Sequence, residues 1–130
     1  MTLDAKLTSY PCPCCGYVVF SGPPGSFDVC PICYWEDDPV QLLNLSYQGG
    51  ANTVSLLEAQ RSFVALGASE AVFSKLVRIP TESDDRERTW RPATDNDAKF
   101  SRTPASLTQD EYDDVATWYY WRRSSQGART

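Results

Sequence analysis

A chain of 130 residues with a formal net charge of −5 is long enough for one domain with a real core, and too acidic to be organised around a phosphate backbone. It contains no histidine, which removes the usual serine or cysteine triad, and no apolar run long enough to span a bilayer. The nearest thing to a basic stripe, Arg86, Arg88 and Arg91, is interleaved with Asp84, Asp85 and Glu87, so nucleic-acid binding is disfavoured.

In chain order, residues 1–11 read as a short lead-in with neither the basic start nor the apolar run of a signal peptide, which points to the cytoplasm. Cys12-Pro13-Cys14-Cys15-Gly16 and Cys30-Pro31-Ile32-Cys33 follow as two turns, each with a Cys-x-x-Cys pair. Fourteen residues separate the pairs, just under the usual spacing of four-cysteine zinc sites. Two residues between thiolates bend the backbone enough to bring both sulfurs to one ion in tetrahedral geometry.

Cys12, Cys15, Cys30 and Cys33 are therefore the expected ligands of one zinc ion, with iron in the same four-thiolate cage as the rival. Five cysteines is an odd number and nothing marks secretion, so disulfides are disfavoured. Cys14 is left over: either a reactive thiol beside a cation or a small filler of the turn, the second being favoured without a group that would depress its pKa. Pro13 and Pro31 preset the turns, and Gly16 permits a left-handed residue where the first doubles back. Tyr34 stands at the equivalent place in the second, which predicts a looser turn there.

Tyr17-Val18-Val19-Phe20 reads as a strand, Ser21 to Ser26 as a turn, and Phe27-Asp28-Val29 as the returning partner strand, giving a ribbon over 12–38. Trp35 is placed to cover the metal cluster. Asp37 and Asp38 before Pro39 read as an acid and base pair, as holders of a hard cation, or as a solvated turn, the last being favoured. Gly49-Gly50 reads as a turn delivering the chain to a helix rather than as an anion nest.

Residues 53–79 form the helical segment. Ser55-Leu56-Leu57-Glu58 is a capping box, Leu56, Ala59, Phe63 and Leu66 are the core face, Gly67 is the stop and Arg61 points outward; a second short helix is expected over 70–76. Residues 80–103 read as a long polar loop with Trp90 and Phe100 as its large anchors. A C-terminal helix over 107–123 follows, opened by the Thr108-Gln109-Asp110-Glu111 capping box, with Asp113 and Asp114 near its positive end and Arg122 and Arg123 at its negative one. Its run Trp118-Tyr119-Tyr120-Trp121 cannot all face one side of a helix, so part of it is expected at the surface.

The sum is a single α+β domain over 1–130, a small antiparallel zinc ribbon packed with two or three helices. A cage filled by four thiolates leaves no open position for substrate, which favours a non-enzymatic protein-interaction module. Asp37, Asp38, Asp110, Asp113, Asp114, Trp118 and Trp121 are its expected binding surface, and electrostatic steering by an acidic face suits a basic partner, such as a nuclease toxin held by its immunity protein. The alternative is a carboxylate-based hydrolase using Asp37 and Asp38, with the zinc purely structural.

The runs Cys-Pro-Cys-Cys-Gly-Tyr at 12–17, Cys-Pro-Ile-Cys-Tyr-Trp-Glu-Asp-Asp at 30–38, Gly-Gly-Ala-Asn at 49–52 and Ser-Leu-Leu-Glu-Ala-Gln at 55–60 also resemble the cysteine-rich CPCC family of small bacterial proteins. The resemblance covers about residues 10–70 well and implies a zinc-ribbon-like module. It implies no particular activity.

Overall fold

In the computed structural model, residues 9–122 are described. Strand β1 (Tyr10–Pro11) pairs antiparallel with β2 (Val18–Phe20), in the register Tyr10 to Phe20 and Pro11 to Val18, with an irregularity between the two pairs. The first cysteine turn is thus the tip of its own hairpin. Cys12 N–H donates to the Tyr17 carbonyl at 2.8 Å and Gly16 N–H to the Cys12 carbonyl at 2.7 Å.

The second turn repeats this geometry. Val29 bridges Glu36, Cys30 N–H donates to the Trp35 carbonyl at 2.9 Å and Tyr34 N–H to the Cys30 carbonyl at 2.8 Å. The expected hairpin between 17–20 and 27–29 is therefore replaced by two short ones, each wrapped on a cysteine pair. Closing a loop of a few residues costs less chain entropy than joining the two runs across the proline-glycine turn. The looser second turn is corrected as well: Tyr34 takes φ of 71°, close to the 82° of Gly16.

Helix α1 (Pro39–Leu43) was not expected from the sequence. Asp38 caps it, accepting from Val40 N–H at 2.8 Å and Gln41 N–H at 3.4 Å, and Pro39 opens it where a missing N–H costs nothing. Helix α2 (Leu56–Leu66) starts at the Ser55 cap and ends at left-handed Gly67, as the sequence indicates. Its buried face, however, is Leu56, Leu57, Ala59 and Gln60, whereas Val64 and Leu66 are exposed and Phe63 is partly buried. The helix docks by its N-terminal half. Arg61 points outward, 3.6 Å from Asp95.

The expected helix over 70–76 is a single 3-10 turn, Ala71–Phe73. The polar stretch 80–103 is better ordered than its composition implies. Val18 N–H donates to the Asp85 carbonyl at 2.8 Å and Glu87 N–H to the Gly16 carbonyl at 2.7 Å, so the chain pairs along the open side of the first hairpin. Helix α3 (Asp95–Ala98) then forms on a Thr94–Asp97 capping box, and a 3-10 turn follows at Pro104–Ser106.

The continuous C-terminal helix is also corrected. Helix α4 (Gln109–Asp113) starts on the Thr108–Glu111 box but stops at Asp114, which caps a 3-10 turn, Val115–Trp118; Tyr119 is extended and helical backbone resumes at 120–122. This break buries Trp118, Tyr119, Tyr120 and Trp121 together, which one straight helix could not do. They join the cysteines, Phe20, Ile32, Trp35, Leu42, Leu43, Leu45 and Leu56 in one core. Arg123 lies outside the described residues. Among the described residues no helix is long and apolar enough to cross a membrane.

Candidate metal centre

Each hairpin presents two cysteines inward, and all four side chains are fully buried. Cys12, Cys15, Cys30 and Cys33 place their sulfurs within 4.8 Å of one another. The closest approaches cross between the hairpins: Cys12 Sγ to Cys33 Sγ at 3.6 Å and Cys15 Sγ to Cys30 Sγ at 3.7 Å. A disulfide would need about 2.0 Å. All five cysteines are free.

The spacing fits a metal. Four sulfurs at about 2.3 Å from one ion stand about 3.8 Å apart along the edges of the tetrahedron, near the two shortest separations here. Ile32 N–H and Cys33 N–H point at Cys30 Sγ, at 3.3 and 3.4 Å, as donors to a thiolate. Burial pushes the Cys12 and Cys33 thiols up, while hydrogen bonds from Cys12, Cys15 and Cys33 hold Cys30 far below its ordinary value. A bound cation would offset the negative charge that thiolates bring into so buried a place.

Cys14 is not one of the four, although its side chain interacts with Cys33. It is fully buried, and burial raises its thiol, the opposite of an activated nucleophile. Trp35 is fully buried in the cluster that contains the cysteines.

Asp37 and Asp38, expected at a solvated turn or as a catalytic pair, are both buried and engaged. Asp37 accepts from the Ser26 hydroxyl at 2.7 Å and from Ser26 N–H at 3.3 Å, and burial raises its pKa to about 6. Asp38 caps α1 and also accepts from Ala51 N–H at 2.8 Å, tying the glycine loop to the helix. Trp118 and Trp121, expected at the surface, are buried, and their indole N–H groups donate to the Glu111 carbonyl and to the Glu87 carboxylate. Asp110, Asp113 and Asp114 are exposed.

Several organising residues escaped the sequence reading. Gln41 is buried; its amide N–H2 reaches the carbonyls of Tyr47, Asn52 and Val54, and its oxygen accepts from Asn52. Asn52 in turn pairs with both backbone groups of Glu36, at 2.9 and 2.8 Å. Gln60 donates to the Pro13 carbonyl and to the Tyr120 hydroxyl and accepts from Ala93 N–H, joining the first knuckle, α2 and the C-terminal aromatics. Trp90 lies over Gly16 and donates to the Pro13 carbonyl at 2.9 Å. The only signal for the glutamines in the sequence is a polar residue on an apolar helix face.

Fold and site together define a small mixed protein with a two-stranded antiparallel sheet and several helices, organised around a buried four-cysteine cluster able to bind a metal ion. The family description Cysteine-rich CPCC matches residues 10–84, and the chain belongs to that family. No curated protein matches it.

Proposed function

We propose that the protein holds one zinc ion on Cys12, Cys15, Cys30 and Cys33 as a structural element and works by binding another protein. The observation that carries the metal half is the enclosed cluster: four buried sulfurs at tetrahedral spacing, with no side left open for water or substrate. Zinc is favoured over iron because closed four-cysteine cages in small modules are commonly structural zinc sites. A reducing compartment such as the cytoplasm suits free thiolates.

For the second half, the burial of Asp37, Asp38, Trp118 and Trp121 narrows the binding face to Asp110, Asp113 and Asp114, with half-exposed Tyr112 beside them. Three carboxylates around an aromatic ring suit a basic protein, and an immunity protein for a basic toxin is the concrete form of that reading. The hydrolase alternative is supported by the raised pKa of Asp37 alone. Against it, both carboxylates are occupied by backbone amides and the Ser26 hydroxyl, as structural acids are.

Elemental analysis of protein purified without added metal tests the first half: the expected result is about one zinc per chain, and iron in its place would replace zinc in this reading. For the second half, partners are captured from the native cell and re-tested against Asp113→Lys/Asp114→Lys. A basic partner whose association slows strongly, with a flatter salt dependence, supports the reading. A partner indifferent to both salt and charge reversal removes it.

A further inference from the structure

The charge on the centre needs an answer that the core itself does not provide. Four thiolates around a divalent ion carry a formal −2, and among the described residues no lysine or arginine is buried. The two N–H donors found on the sulfurs both serve Cys30. The first knuckle is served differently, by a cation brought in along the backbone.

Arg86 bridges Tyr17 in the short pairing that closes the open edge of the first hairpin. Its Nε donates to the Cys15 carbonyl at 2.8 Å. Its guanidinium lies 4.9 Å from the centre of the Tyr17 ring and 4.7 Å from that of Trp90, and Trp90 is itself held to the Pro13 carbonyl. Two aromatic faces and a carbonyl thus fix the charge against the turn that carries two of the four ligands.

Five other arginines, Arg61, Arg78, Arg91, Arg102 and Arg122, are each paired with a carboxylate. Arg86 makes no ion pair among the described residues. Arg78 differs: its N–H donates to the Pro31 carbonyl of the second turn and its charge is felt at Cys30, but Asp84 takes its guanidinium in two hydrogen bonds of 2.8 and 2.7 Å, so the pair as a whole brings no net charge.

We infer that Arg86 is the fixed counter-charge of the metal centre, a positioning residue that clamps the first knuckle through Cys15 and stabilises the negative four-thiolate cluster. This rests on the metal reading above. Metal retention is where the effect is felt, since a positive charge held at the Cys15 turn stabilises the net negative charge of the loaded cage.

The test uses the full chain, loaded separately with zinc, cobalt(II) and iron. Zinc transfer to a chromogenic chelator should be about two- to fivefold faster in Arg86→Gln than in the unaltered protein, the size expected of one partly solvent-screened charge. With iron in the cage, the reduction potential of Arg86→Gln should move negative, because the ferrous cluster carries one more negative charge than the ferric and loses more when the cation is removed. Arg86→Lys, which keeps the charge without the planar stacking, should recover most of the potential. The paired change Arg78→Gln/Asp84→Asn removes no net charge and should move it less than Arg86→Gln does.

The cobalt spectrum reports whether the tetrahedron is intact in each variant, so a folding defect is not mistaken for an electrostatic one. An unchanged potential in Arg86→Gln, or equal shifts in Arg86→Gln and Arg86→Lys, overturns the counter-charge role and leaves the metal assignment standing. A chain that binds none of the three metals overturns both.

Discussion

Gly16 and Gly49 have the same left-handed backbone, at φ of 82° and 83°, but different surroundings. A Cβ on Gly49 meets nothing within 4 Å, whereas one on Gly16 lies 2.7 Å from the Trp90 ring. Gly49→Ala should therefore cost about 1–2 kcal/mol, and Gly16→Ala about 3 kcal/mol or more, because overpacking adds to backbone strain. Denaturant unfolding of the zinc-loaded variants measures the difference; equal losses would mean that Trp90 moves aside freely. The two central tyrosines make a similar pair. The Tyr120 hydroxyl donates to the Arg91 carbonyl at 2.5 Å and accepts from Gln60 at 2.8 Å, while the buried Tyr119 hydroxyl has no partner among the described groups. Tyr120→Phe should cost about 1–3 kcal/mol and Tyr119→Phe about nothing, or should stabilise, since only the first leaves polar groups unpaired. A larger loss from Tyr119→Phe would contradict this.

At the scale of elements, the segment from the second knuckle into α1 carries a pH dependence whose sign can be worked out. Burial raises Asp37 to about 6 from an ordinary 3.8, so the folded state holds an extra proton between those values and stability falls as pH rises through that window. Asp37→Asn should be more stable than the unaltered protein at pH 7.5, by up to about 3 kcal/mol, with the advantage shrinking as pH falls through about 6. Unfolding of both zinc-saturated proteins across that range checks it; a constant difference would show that Asp37 does not titrate there.

The same segment shows where the sequence was legible. The cysteine turns, the Ser55 and Thr108 caps and the Gly67 stop are local signals, each deciding its own few residues, and each stands where its pattern placed it. The pairing of β2, the left-handed Tyr34, the burial of Asp37 and Asp38 and the break at Asp114 are decided by distant partners. Val18 pairs with Asp85 and Asp38 reaches Ala51, and no periodicity announces either contact. Tyr34 shows the limit most plainly: its ring lies tilted against that of Phe73, centres 4.6 Å apart, and its N–H completes the turn, so tertiary contacts hold a conformation that its residue type disfavours.

For the whole molecule, the four-cysteine cluster sits where several segments of the described chain meet. Both hairpins supply its cysteines, Gln60 of α2 and Trp90 hold the Pro13 carbonyl, and the buried aromatics of 118–121 belong to the same core cluster. Removing the metal should therefore loosen the whole domain rather than one loop, and chelation should lower its thermal midpoint in a single transition. The most direct measurement is native mass spectrometry of the full chain beside Cys14→Ser and Cys33→Ser, each after exposure to stoichiometric zinc at neutral pH. The account predicts one zinc per chain for the unaltered protein and for Cys14→Ser, and loss of tight binding in Cys33→Ser. An unaltered protein that stays metal-free, or a Cys14→Ser variant that loses the metal while Cys33→Ser keeps it, would contradict the four-cysteine centre on which the rest depends.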